Sequence, residues 1–178
     1  MRQSNPDRAT RGAPVLDALR GVRLARVLIR RYLIGLGVAA VVVIADLITK
    51  RYAALNFEDD PVEVIPDFFG FTYVENPGGA FGMFQDGGAI IGIAALIVAT
   101  IVLVALAHDR PLLETVALGF VVGGAIGNLV DRFARGEGII DGRVIDWIEL
   151  SVIPTFNIAD ASVTVAVALL LIHAWWTR

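Results

Sequence analysis

The 178-residue chain contains no cysteine, two histidines and two methionines. The first absence excludes a disulfide framework, a zinc–thiolate site and a cysteine nucleophile in one step. Two histidines leave little from which to build a metal cage, so no metal and no cofactor are expected. Charge is scarce as well: Asp, Glu, Lys and Arg make up 19% of the residues against 56% hydrophobic ones, and the mean hydropathy is +0.70. Average soluble domains are about 25% charged and 45–50% apolar. The profile is therefore that of a chain built for a bilayer. A formal net charge of −3 is too slight to indicate a partner, and nucleic acid is not among the expected ones.

What the sequence does have is four apolar blocks, at about 32–52, 89–107, 112–130 and 158–176. Each is close to the ~20 residues that a ~30 Å hydrocarbon core requires at 1.5 Å per residue. The expected fold is an all-α membrane protein, a four-transmembrane-helix bundle in one domain over 32–176, preceded by a basic tail over 1–31. Residues 1–31 hold eight arginines and two acids, whereas residues 53–88 hold seven acids and no base. By the positive-inside rule both termini are cytoplasmic, and 53–88 and 131–157 face outside. Lys50 and Arg51, at the outer end of the first span, run mildly against that rule. The basic start followed by an apolar run also has the look of a secretory signal peptide, but three further spans favour an uncleaved first helix. Residues 14–31 are open between an interfacial helix and a disordered tail. In 53–88 a small β-like substructure is expected, with strands at 62–65 and 69–74, where apolar and β-branched residues are bounded by Pro61, Pro66 and Asn76. Gly119, Gly123 and Gly127, with Gly124 beside them, permit close helix approach in the third span.

On this topology the unusual polar residues gather at the outer face: Asp46 and Lys50, Asn76, Asn128, Asp131 and Arg132, Asp146, Asn157 and Asp160. Ionisable groups inside membrane spans are functional candidates by default. With no serine–histidine or cysteine–histidine pair available there, two carboxylates sharing one proton could still hydrolyse a peptide bond, one activating water and the other protonating the products. Each residue also has a plainer reading. Asn157 and Asp160 have the spacing of a helix N-cap and its N3 partner; Asp46 and Lys50 have that of a structural ion pair; Asp131 and Arg132 have that of an interfacial charge pair. Asp141 and Asp146 both read as loop acids, and Trp147, Trp175 and Trp176 as interface markers.

The order of short motifs narrows the choice. Asp46-Leu-Ile-Thr-Lys50, Asn76-Pro-Gly-Gly-Ala-Phe81, Gly123-Gly-Ala-Ile-Gly-Asn-Leu-Val-Asp-Arg132, Val144-Ile-Asp146-Trp-Ile and Phe156-Asn-Ile-Ala-Asp160-Ala-Ser follow one another between about residues 45 and 168. This series resembles the lipoprotein signal peptidase family, also called signal peptidase II, of bacterial intramembrane aspartyl peptidases. The resemblance implies a catalytic dyad at Asp146 and Asp160. Asn76, Asn128, Arg132 and Asn157 are implied to grip the substrate backbone, and Asp46, Lys50 and Asp131 to support the site. It also implies the partners, diacylglyceryl-modified prolipoproteins and membrane lipids, with cleavage on the amino side of the lipidated cysteine in the bacterial inner (plasma) membrane; a monomer is expected, although no residue pattern fixes the oligomeric state. Two departures stand out. Gly79 replaces the usual alanine, and residues 133–143 are longer than the family usually has, offering Asp141 as a competitor to Asp146. Asp146 is preferred because apolar residues flank it on both sides. The glycines of the first outer loop (78, 79, 82, 87 and 88) suggest a lid. An ion or proton carrier would need acids through the full depth of the bilayer, and a scaffold would have no use for the clustered asparagines.

Overall fold

The computed structural model describes residues 7–78 and 87–178, with side chains from residue 21. Its elements run α1 (Asp7–Asn56), β1 (Val62–Ile65), β2 (Phe69–Asn76), α2 (Gly88–Leu106), α3 (Leu112–Ala134), β3 (Val144–Leu150), β4 (Ile153–Phe156) and α4 (Ile158–Trp176). All four helices contain stretches long and apolar enough to cross a membrane. The loop glycines 79 and 82 and the end of the Asn-Pro-Gly-Gly-Ala-Phe motif lie outside the described residues.

The bundle is apolar outside and polar within. Leu33, Val41, Ile44 and Ile48 on α1, Ile90 and Ile101 on α2, and Leu171 on α4 are exposed, whereas Asp46, Lys50, Asp131, Arg132 and Asn157 are buried. Such a surface suits lipid rather than water. Helix α3 is the hub, packed against the other three helices, and its glycines explain how. A Cβ on Gly123 would come within 2.6 Å of Val42 Cβ on α1, and one on Gly124 within 2.5 Å of the Ala159 carbonyl oxygen on α4. Only a residue without a side chain lets backbones approach so closely.

The tail before the first span is helical from Asp7, continuous with α1. At the end opposite the sheet, Arg31 bonds to Asp109 and to the Arg110 carbonyl, tying α1 to the α2–α3 loop. Arg110 Nε in turn donates to the Ala105 carbonyl at 2.9 Å, which also accepts the His108 N–H at 3.2 Å at the end of α2.

The β substructure is larger than residues 53–88 can make. Strands β1 and β2 fall where the prolines and β-branched residues place them, but they are half of a four-stranded antiparallel sheet of order β1-β2-β3-β4. The other half comes from the segment that reads in sequence as a second outer loop. Val74 pairs with Asp146 and Asn76 with Val144 across β2 and β3, and Ile148 with Phe156 across β3 and β4. Phe71 stacks on Phe57, the residue after α1, with ring centroids 5.6 Å apart, and lies at the same distance from Trp147. Trp147 belongs to this aromatic cluster. The cluster clamps β3 to the end of α1 and so fixes the strand that carries Asp146.

Candidate active site

The site is built in three layers. The deepest is an ion cluster centred on Lys50, which is 1% exposed. Its Nζ lies 2.7 Å from Asp46 Oδ2 and 2.8 Å from Asp131 Oδ2, and it donates to Asn128 Oδ1 at 2.9 Å. The Asp46 contact is a charge contact rather than an aligned hydrogen bond. Buried charge of this kind costs several kcal/mol per ion unless each is compensated, and here each is. Asp46 Oδ1 accepts the Ala159 backbone N–H at 2.9 Å. Asp131 accepts from Arg135 Nε at 2.9 Å and from the Ile145 N–H at 3.3 Å. One lysine thus joins α1 to α3, and its two carboxylates reach on to α4 and β3. Arg135, four residues after Asp131, is a member of this layer that the sequence reading missed, although the i,i+4 spacing was visible.

The second layer is a pair of asparagines. Asn157 caps α4: its Oδ1 accepts the Asp160 N–H at 2.9 Å, and the Asp160 side chain accepts the Asn157 N–H at 3.4 Å, forming a capping box. Its Nδ2 points at Asp146 Oδ1 (2.7 Å), Asn128 Oδ1 (3.0 Å) and the Ile145 carbonyl (3.2 Å). Asn128 Nδ2 donates to Asp160 Oδ1 at 2.8 Å. The capping reading and the site reading of Asn157 and Asp160 therefore hold together: the cap places Asp160 at the mouth of its helix, facing Asn128.

The third layer is the carboxylates themselves. Asp146, 2% exposed, receives Asn76 Nδ2 on Oδ2 at 2.9 Å and Asn157 on Oδ1. Asn76 is held in turn by the Gly78 N–H on its Oδ1 at 3.1 Å. Burial pushes the Asp146 carboxyl up to about 7, with the nearby Asp160 adding to the rise and the Asn76 hydrogen bond opposing it. Asp146 and Asp160 both line a cavity of about 880 Å³, with Asn76, Asn128 and Arg132 at the same end. Its remaining walls are mostly apolar, with Ile91, Ala94 and Val98 on α2, Val121 on α3 and Val163 on α4.

Arg132 and Asp141 take separate places: Arg132 lines the cavity and Asp141 lies away from it. Arg132, expected to orient a substrate carbonyl, turns Nη1 to the carbonyls of Gly142 (3.1 Å) and Pro77 (3.4 Å) of its own chain. It thereby anchors the long 133–143 segment beside the site. Asp141 is exposed and accepts the Gly138 N–H at 2.9 Å, closing the glycine-rich turn. It does not line the cavity.

Residues 38–176 match the family model described as signal peptidase (SPase) II. The lipoprotein signal peptidase of Symbiobacterium thermophilum is 42% identical over 139 residues, which cover 76% of this chain and 90% of that one. That of Rhodococcus jostii is 36% identical over 139 residues, covering 76% and 69%. A solved bacterial membrane enzyme superposes with a TM-score of 0.69 at 30% identity, covering 79% of this chain and 87% of its own. The apolar exterior, four spanning helices and these relatives identify a multi-pass membrane protein, and the chain belongs to the signal peptidase II family of peptidases.

Proposed function

We propose that this protein removes signal peptides from diacylglyceryl-modified prolipoproteins, cutting on the amino side of the lipidated cysteine, with Asp146 and Asp160 as an aspartyl dyad. The observation that carries the reading is their common cavity: two carboxylates joined through Asn157 and Asn128 face one polar end of a space whose other walls are mostly apolar. An acyl-bearing cysteine suits such a space, with its chains along the helices and its peptide bond at the carboxylates.

Two neighbouring carboxylates cannot both ionise cheaply, and the buried Asp146, titrating near 7, keeps the shared proton. Ionised Asp160 takes a proton from water as its oxygen attacks the scissile carbonyl carbon. Asp146 gives its proton to the developing oxyanion. Collapse of the tetrahedral intermediate breaks the C–N bond as the proton held by Asp160 passes to the leaving amine and one hydroxyl of the intermediate returns its proton to Asp146, which re-forms the carbonyl and restores the dyad. No covalent intermediate arises. The arginine excess of residues 1–31 and the acidic 53–88 segment support cytoplasmic termini and a site at the outer face of the plasma membrane, where a lipid anchor would hold the scissile bond.

Incubation of the purified protein with one prolipoprotein, with and without the diacylglyceryl group, tests this by mass spectrometry. The expected product begins at the lipidated cysteine, and the unmodified substrate stays intact. Equal cleavage of both, or a cut elsewhere, contradicts the reading.

A further inference from the structure

An asparagine side chain has nearly the same shape when its oxygen and nitrogen are exchanged, but its hydrogen bonding is reversed. Asn128 sits where that matters. One end of its amide meets Lys50 Nζ at 2.9 Å and Asn157 Nδ2 at 3.0 Å; the other meets Asp160 Oδ1 at 2.8 Å. Lysine only donates and an ionised carboxylate only accepts. From these contacts, and resting on the dyad reading above, we infer that Lys50 is a positioning residue: by occupying Asn128 Oδ1 it turns the Asn128 N–H onto Asp160 and keeps the asparagine bridge polarised toward both carboxylates.

Among the described residues, one other side chain donates to Asn128 Oδ1 beside Lys50: Asn157, through Nδ2 at 3.0 Å. Asn157 is already oriented by its own helix, since its Oδ1 accepts the Asp160 N–H at 2.9 Å; its Nδ2 must then face Asp146 and Asn128. With Asn128 reversed, donor would meet donor at Asn157 and at Lys50, and acceptor would meet acceptor at Asp160. Lys50 makes that reversal costly because it is buried, can only donate, and is held in place between Asp46 and Asp131. The ionisable groups facing this point are Asp46 and Lys50 from α1, Asp131 and Arg132 from α3, Arg135 at its C-terminal cap, Asp146 from β3 and Asp160 from α4. Only Lys50 bonds to Asn128 Oδ1 from among them. The role of Lys50 is thus exerted on Asp160 through one amide, without contact with the reacting atoms.

The test removes the donor without changing the local net charge. In Lys50→Met/Asp46→Asn, one positive and one negative group disappear together. The amide oxygen introduced at position 46 can still accept the Ala159 N–H, and Asp131 keeps Arg135. The full-length variant, reconstituted and shown by thermal unfolding to be folded, is compared with wild type for the pH dependence of kcat and kcat/KM on a lipidated prolipoprotein. The expected result is a kcat lower by on the order of tenfold or more, the acidic limb of the profile displaced to higher pH by about one unit, and KM changed by less than about threefold. A folded variant with the wild-type kcat and profile overturns the inference. If the double variant does not fold, Lys50→Met/Asp131→Asn replaces it, which likewise removes the donor to Asn128 with one charge of each sign, while the amide oxygen introduced at position 131 can still accept from Arg135 and the Ile145 N–H. A loss of kcat with the same displacement supports the role, and an unchanged profile refutes it. Asp146→Asn and Asp160→Asn, assayed alongside, separate the two readings. If they retain activity the dyad itself is wrong, whereas if they are inactive while the lysine variants keep the wild-type profile, only the role of Lys50 is wrong.

Discussion

The two ends of the bundle use the same residue types to opposite effect. Away from the sheet, Arg31 pairs with Asp109, Arg110 with Glu114 at 3.5 Å and His173 with Glu114 at 3.4 Å, all partly exposed. At the sheet end Lys50, Asp46, Asp131 and Asp146 are buried, and each makes at least two polar contacts. Exposed pairs are worth about 0–1 kcal/mol, whereas a buried charge destabilises strongly once its partner is removed. The first set holds loops at little cost. The second is kept at a cost that stability alone would not justify, because it holds two asparagines against two carboxylates.

Breaking the buried end should show the largest effect. Lys50→Met leaves Asp46 without a counter-ion and is expected to destabilise by about 3–5 kcal/mol, read as loss of the thermal transition in detergent or a large fall in its midpoint. Gly124→Ala comes next. A new Cβ would sit 2.5 Å from the Ala159 carbonyl oxygen, so α4 must move away from α3 at a cost of about 1–3 kcal/mol. That movement also stretches the Asn128–Asp160 contact, and cleavage should fall along with stability.

A smaller, pH-dependent effect belongs to Asp146. Its folded carboxyl titrates at about 7, the unfolded one at about 4, so the folded state binds the extra proton between these values. Stability therefore falls as pH rises through that window. The unfolding midpoint should drop by about 3–8 °C between pH 5 and pH 8, and Asp146→Asn should flatten this slope; an equal slope in the variant would assign the effect elsewhere. Least affected is the opposite end, where Glu114→Gln should change stability by less than about 1 kcal/mol and leave cleavage as it was.

Much of this arrangement is legible in sequence, but unevenly. The apolar spans are local patterns, and β1 and β2 are bounded by Pro61, Pro66 and Asn76, so both can be read along the chain. The capping box of Asn157 and Asp160 is equally local, and its spacing fits both meanings because the cap is what aims the aspartate. Strands β3 and β4 fall in a segment that reads as a loop, although Val144, Ile145, Trp147 and Ile148 favour strands. A carboxylate at the centre of that apolar run points to chemistry first, and the pairing with β2 that holds it is not local. The partners of Lys50 are only half visible. Asp46 is one turn away, while Asn128 and Asp131 lie more than seventy residues on, a distance no periodicity spans. The planar fork of Arg132 suits any carbonyl, and its Nη1 contacts to Gly142 and Pro77, ten and fifty-five residues away, cannot be read from the chain.

The central claim is that Asp146, rather than Asp141, completes the dyad with Asp160. Single-turnover cleavage of a lipidated prolipoprotein by folded, membrane-inserted Asp146→Asn and Asp141→Asn tests it most directly. The account predicts a loss on the order of a thousandfold or more for Asp146→Asn and a rate within about threefold of wild type for Asp141→Asn, whose side chain only closes a surface turn. Wild-type cleavage by Asp146→Asn, with the loss moved to Asp141→Asn, would contradict it.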